Sequence, residues 1–265
     1  MYFKGKKVWI TGASSGIGEA MSRAIATQGA TLILSGRRLA KLEELAQELA
    51  AEGAQEVHCL AFDLAVQEQR EVAIAKFKKQ WSFPDVMILN GGLSQRSLIA
   101  ETQFEVYRTL IEVDYLANVQ LSKAFLEEWR SSQSGQVVVI SSLVGKFGTP
   151  FRSGYAAAKH ALHGFFDTLR AEAHRDKLKV NIICPGFVHT QVSVNALRGD
   201  GNSLGEMDRA QAKGLSPEAF ARKALQAIEG NKAESYIGKK EKLGVYIKRF
   251  FPALFRRMIT KAQVR

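Results

Sequence analysis

Tyr155-Ala-Ala-Ala-Lys159 places a phenol and an ammonium four residues apart, with Ser142 thirteen residues before the tyrosine. Four residues is just over one helical turn, so both side chains fall on one helix face. A phenol alone is a poor acid–base catalyst near neutrality, because its unperturbed pKa is about 10. A cation one turn away favours the phenolate. The Ser142 hydroxyl can hold an oxygen for the phenol to protonate. The three residues point to proton transfer at a carbonyl or alcohol. His160 and His163 flank them on the same helix and read as packing or surface residues.

The N-terminus offers a place for a reaction partner. Thr11-Gly12-Ala13-Ser14-Ser15-Gly16-Ile17-Gly18 joins a first strand to a first helix. Its glycines let the backbone turn tightly and approach a ligand. The helix N-terminus then presents N–H groups and a positive dipole end to a pyrophosphate. The spacing is G-x-x-x-G-x-G rather than the G-x-G-x-x-G of the usual dinucleotide fingerprint, and a tight strand–helix turn alone also explains it. Folds that use NAD place an acid at the end of the second strand, whereas basic residues there accommodate a 2′-phosphate. This chain reads Ser35-Gly36-Arg37-Arg38, so the expectation is NADP(H). Arg38 also reads as a solvated helix-start residue. Asp63, beside Leu64, follows the third strand and suits either an adenine contact or a helix N-cap. Asn90-Gly91-Gly92 ends the fourth strand, as a ribose contact or another tight turn.

These residues must be held by a sheet. Strand-like runs at 7–11, 31–35, 57–62, 86–90, 136–141, 179–184 and 234–237 alternate with helix-like stretches at 16–28, 39–51, 67–81, 104–130, 154–174 and 217–229. The stretch 104–130 reads as one long helix or two. The strands are short continuous apolar runs, the pattern of strands buried on both faces. Such alternation predicts an α/β doubly wound, Rossmann-like parallel sheet with helices on both faces. No repeat or linker divides it, so residues 1–238 read as one domain. Residues 192–216 are irregular and read as a mobile lid over the substrate, since long loops in compact domains are usually functional or disordered.

With 46% hydrophobic and 24% charged residues the chain has an ordinary globular composition. Cys59 and Cys184 sit in apolar segments and read as buried, so nothing requires an oxidising compartment. The opening Met-Tyr-Phe-Lys-Gly-Lys-Lys leads straight into a strand, and no apolar run reaches the length of a spanning helix, which together predict a cytoplasmic protein. The net charge of +11 is concentrated in residues 239–265, where nine Lys/Arg face one acid, Glu241. The remainder carries +3, which argues against nucleic-acid binding. In that tail Leu243, Ile247, Phe250, Phe251, Leu254, Phe255, Met258 and Ile259 recur at helical steps among Lys and Arg. Pro252 suits the first turn of a new helix, so we read two short amphipathic helices meeting near Phe251. Such a tail fits either peripheral contact with an anionic membrane or packing against the domain or a partner subunit.

Taken together, Thr11–Gly18, Asn90-Gly-Gly, Ser142, Tyr155-x-x-x-Lys159 and Pro185-Gly186-Phe-Val188-His-Thr190 resemble the short-chain dehydrogenase/reductase family over about residues 5–240. The stretch from Asn90 and the basic tail are similar to membrane-associated branches that reduce hydrophobic ketones. The resemblance implies that Tyr155 is the general acid in reduction and the general base in oxidation. It implies that Lys159 binds the nicotinamide ribose, that Ser142 bonds the substrate oxygen, and that Pro185, Gly186, Val188 and Thr190 position the nicotinamide. A homo-oligomer, dimer or tetramer, is expected. The chain departs from the family at Val113-Asp114-Tyr-Leu-Ala117, where Asp114 stands in place of an asparagine whose kinked helix carries a water-linked proton path; Asn118 is four residues off register. The expected reaction interconverts an apolar ketone or aldehyde and its alcohol. Leu93, Phe147 and Phe187, with Val192, Val194, Leu197 and Leu204 of the lid, are the expected apolar lining. The competing readings are a 3-oxoacyl reductase of lipid synthesis and a non-catalytic NADP-sensing protein.

Overall fold

Short strands pair into one sheet, the inner ones buried on both faces and the edge strands β3 and β7 only partly covered: β1 (Lys7–Thr11), β2 (Thr31–Ser35), β3 (Glu56–Cys59), β4 (Val86–Leu89), β5 (Gln136–Ile140), β6 (Lys179–Pro185) and β7 (Glu234–Ile237). The computed structural model describes residues 1–261. The sheet order is β3-β2-β1-β4-β5-β6-β7, and every pairing is parallel. The strand order therefore reverses between β1 and β4, and in such sheets the crevice beyond the carboxyl ends at that reversal binds ligands.

The helices cover both faces. They are α1 (Gly16–Ala26), α2 (Leu39–Ala51), α3 (Gln67–Trp81), α4 (Phe104–Ile111), α5 (Ala117–Lys123), α6 (Leu126–Ser132), α7 (Ser153–Glu172), α8 (Arg209–Ala212), α9 (Pro217–Glu229), α10 (Leu243–Phe250) and α11 (Pro252–Ile259). One face buries Met21 and Ile25 of α1 against Phe220 and Ile228 of α9. The other is aromatic: Trp9 stacks on Phe77 at 4.5 Å between ring centroids and meets Phe125 edge-on at 5.8 Å. The Trp9 indole N–H donates to Ser35 Oγ at 2.8 Å, so its burial leaves no unpaired donor.

Several element ends differ from the sequence expectation. β3 stops at Cys59, yet the backbone keeps bonding its neighbour, with the Leu60 N–H donating to Leu34 O at 2.9 Å and the Phe62 N–H to Gly36 O at 3.1 Å. α1 stops at Ala26, where the chain tightens into bonds from Gln28 to Ile25 and Gly29 to Ala26, and Gly29 takes a positive φ of 76°. Cys59 is half-buried rather than buried. The stretch 104–130 is three helices, with a π turn at Glu112–Leu116 between α4 and α5. Two side chains compete with the regular ladder there. The Asn118 amide donates to Asp114 O, and the Ser122 hydroxyl to Asn118 O, both at 2.8 Å. Such side-chain bonds to backbone carbonyls distort helices, and single π turns concentrate at functional sites.

Candidate active site

A cavity of about 950 Å³ opens beyond the carboxyl ends of β1, β4, β5 and β6. At one end lies the glycine turn. Gly12 and Gly16 hold positive φ values of 64° and 59°. A Cβ on Gly12 would lie 2.7 Å from Gly91 Cα, and one on Gly16 would lie 3.0 Å from Thr190 Cγ2. Ser15 precedes α1 without a side-chain cap, which leaves first-turn N–H groups available to an anion. Asn90 ties the turn down from β4, donating through Nδ2 to Thr11 O and Gly12 O, both at 3.1 Å.

Gly12, Ser14, Ser15, Gly16, Ile17, Arg37, Arg38, Asp63, Leu64, Asn90 and Gly91 all border this end of the cavity. Gly18 does not. A Cβ there would lie 2.2 Å from Gly12 O, so the turn closes against the helix only because residue 18 has no side chain. Arg37 and Arg38 are exposed at the rim, and Arg38 reaches Ser14 Oγ at 3.4 Å. Asp63 is not the cap of α3, whose cap position is Val66; its Oδ1 accepts the Ala65 N–H at 2.9 Å. A bare glycine cradle flanked by two guanidiniums fits a dinucleotide that carries an additional phosphate.

Ser142, Tyr155 and Lys159 line the middle of the cavity. Tyr155 and Lys159 share one face of α7, with the Lys159 ammonium 5.6 Å from the Tyr155 ring centroid. Lys159 is buried, donates to Ile140 O at 3.1 Å and lies 3.9 Å from Asp114. Ser142 Oγ accepts the Val144 N–H at 3.3 Å, which leaves its own O–H to donate. Gln95 fixes the start of α7: its Oε1 accepts the Gly154 N–H at 2.7 Å and the Tyr155 N–H at 3.3 Å. Under the site, Ser141 Oγ donates to Lys159 O at 3.3 Å and meets His163 Nε2 at 3.1 Å. Burial and the Lys146 ammonium push the His163 imidazole down to about 4, so it is a neutral packing residue.

Pro185, Gly186, Val188 and Thr190 line the cavity beside these groups. Its far end is apolar. Leu93, Phe147, Phe187, Val192 and Leu197 line it as expected, whereas Val194 and Leu204 do not. The tail supplies further walls, Leu243, Ile247, Phe255, Met258 and Ile259, with Phe255 tilted on Phe147 at 5.2 Å. Residues 192–216 bond to the loop after β4. The Arg96 N–H donates to Leu197 O and the Leu197 N–H to Ser94 O, both at 2.8 Å. The buried Arg96 guanidinium also donates from Nε to Asp208 at 2.8 Å, and Arg152 lies 3.5 Å from the same carboxylate. Burial, then the neighbouring Arg96, pulls the Arg152 guanidinium down to about 10. Gln95 and Arg96 lie in the stretch from Asn90, whose pattern gives them no role in the site, and no sequence motif marks Arg152 or Asp208; the topology brings the four together.

Comparison with known proteins agrees with this arrangement. The sequence pattern of the short chain dehydrogenases matches residues 6–200. A mouse protein described as dehydrogenase/reductase SDR family member 7B is 37% identical over 262 residues, covering 97% of this chain and 81% of that protein. Its bovine counterpart is 39% identical over 264 residues, with the same shares covered. Among solved structures, an alcohol dehydrogenase from the archaeon Thermococcus sibiricus, complexed with 5-hydroxy-NADP, superposes with a TM-score of 0.74 at 28% identity, covering 89% of this chain and 97% of that one. A short-chain dehydrogenase from Sphingobium yanoikuyae in complex with NADPH gives a TM-score of 0.79 at 23% identity, covering 97% and 96%, which shows the shared fold. With this match running from the glycine turn through the helix that carries Tyr155 and Lys159, the chain belongs to the short-chain dehydrogenase/reductase family of oxidoreductases.

Proposed function

We propose that the protein is an NADP(H)-dependent oxidoreductase that reduces an apolar ketone or aldehyde to its alcohol. The observation that carries this reading is one cavity with a glycine cradle and two guanidiniums at one end, an apolar pocket at the other, and Ser142, Tyr155 and Lys159 between them. The relative complexed with 5-hydroxy-NADP supports the cofactor choice. When bound, the nicotinamide supplies the reducing equivalent; the protein supplies orientation and electrostatics. Ser142 donates its O–H to the substrate oxygen. Tyr155 protonates that oxygen as negative charge develops on it. Lys159, held by Ile140 O, favours the phenolate left behind. Arg37 and Arg38 hold the extra phosphate.

The tail gives the substrate a route. Phe250, Phe251 and Leu254 are 68%, 63% and 52% exposed, while Lys248, Arg249, Arg256 and Arg257 are exposed beside them. An apolar ridge set among cations suits peripheral contact with an anionic lipid surface. The same two helices wall the apolar end of the cavity, so a lipid-soluble ketone reaches the site from that surface. No described helix is long and apolar enough to cross a membrane. Assembly into a dimer or tetramer is part of the same reading.

The test is consumption of NADPH, and separately of NADH, on a panel of apolar ketones and 3-oxoacyl thioesters. Turnover of a ketone with NADPH, and less with NADH, is the expected result. Turnover confined to the thioesters would favour a 3-oxoacyl reductase. Tight NADPH binding without turnover on any compound would favour a sensing protein.

A further inference from the structure

Asp114 stands in the π turn immediately behind Lys159, and it is fully buried. Its Oδ1 accepts the Leu93 N–H at 2.8 Å and lies 3.9 Å from Lys159 Nζ. Its Oδ2 is buried without a hydrogen-bond partner among the described residues. A Cβ on Gly92 would lie 2.6 Å from Asp114 Oδ1 and 3.4 Å from Lys159 Nζ. The carboxyl can therefore occupy this position only because residue 92 has no side chain.

The charges around it are few. Lys159 of α7 is the facing ion, and Tyr155, one turn earlier on α7, is the nearby phenol. The loop after β4 offers the Leu93 N–H, and α5 the neutral Asn118 amide, which donates to Asp114 O. On the same turn Glu112 is paired at 2.5 Å with Arg70 of α3. Lys159 is the charged side chain that pulls on the carboxyl. Burial pushes the Asp114 carboxyl up to about 6, against the opposing pull of Lys159 and the Leu93 amide.

We propose that Asp114 is a positioning residue that stores one proton behind Lys159, and that its charge is coupled to the charge of the bound nicotinamide. In the reductive direction Tyr155 O–H loses its proton to the substrate oxygen. A Lys159 N–H proton passes to the phenolate, and the Asp114 O–H proton passes to the Lys159 amine through one bridging water, the two groups being 3.9 Å apart. Asp114 ends as a carboxylate when the ring beside Lys159 is positive, and solvent returns the proton once that charge has left. Linkage is reciprocal, so an oxidised ring favours the Asp114 carboxylate and the carboxylate favours the oxidised ring.

This inference rests on the NADP(H) reading, and the experiment separates the two. Calorimetry of NADP⁺ and NADPH binding to the full-length protein, in buffers of different ionisation enthalpy, measures proton release. The expected result at about pH 6 is proton release with NADP⁺ and little with NADPH. The preference for NADP⁺ over NADPH is expected to rise about tenfold from about pH 5 to about pH 7.5. Asp114→Asn, which keeps an acceptor for the Leu93 N–H, should abolish both effects; Asp114→Glu should restore a pH dependence. Binding of both nucleotides with no difference in proton release by the wild type, measurable even if the variants do not fold, would overturn the coupling alone. Binding of neither would overturn both readings.

Discussion

At the residue scale, the site combines groups a sequence displays openly with groups it does not. Tyr155 and Lys159 are legible because helical spacing fixes their common face. Arg37 is legible as a candidate because it follows β2 by two residues, near where dinucleotide folds place the ribose contact. For Arg37→Ala we expect NADPH affinity to fall about tenfold or more, the effect of one lost charge-assisted bond, with NADH affinity nearly unchanged. Equal losses for both nucleotides, in a fluorescence titration, would place Arg37 outside the phosphate subsite. Gly18 is legible as a glycine because α1 closes on Gly12 O, where a Cβ would lie 2.2 Å away. Arg96, Arg152 and Asp208 lie up to 112 residues apart in sequence and carry no spacing signal. Their burial with shared charge is a property of the folded chain alone.

At the scale of elements, strand and helix existence followed from apolar runs and period, while ends followed from particular hydrogen bonds. The 104–130 stretch was ambiguous because its helical pattern is continuous; the break comes from Asn118 and Ser122 bonding back to the carbonyls of Asp114 and Asn118. The loop 192–216 reads as a lid because it lacks a period, and the bonds of Leu197 and Asp208 to residues 94–96 carry no sequence signal. Asp208→Asn removes the charge from a carboxylate buried between two guanidiniums. Breaking such a pair costs about 3 kcal/mol or more, so we expect a matching loss in a urea unfolding curve. A change under about 0.5 kcal/mol would show that the loop is held by its backbone bonds instead. The first helix is anchored apolarly, and Phe220→Ala, opening a void against α1, should cost about 3–5 kcal/mol by the same measurement.

For the molecule as a whole, the doubly wound sheet brings residues from β1, β4, β5, β6 and the tail to one cavity. The sequence pattern predicts that sheet, and packing of the tail against the domain, one of its two readings, is seen in its place in the cavity wall. Val245 is buried and Phe255 packs on Phe147, so the inward side of α10 and α11 belongs to the pocket while the outward side carries the exposed aromatics and cations. Truncation after Lys239 should therefore abolish co-sedimentation with anionic vesicles and also raise KM for long apolar ketones. Equal sedimentation of the two proteins would remove the lipid surface from the account.

In the proposed reaction the Tyr155 phenol transfers the proton in an NADPH-dependent reduction. The direct measurement is kcat for Tyr155→Phe beside NADPH affinity in the same preparation. Loss of a positioned general acid predicts that kcat falls about 10²–10⁴-fold while NADPH binds within about twofold of wild type, because the aromatic ring and Lys159 remain. A variant that binds NADPH and turns over at an unchanged rate would contradict it.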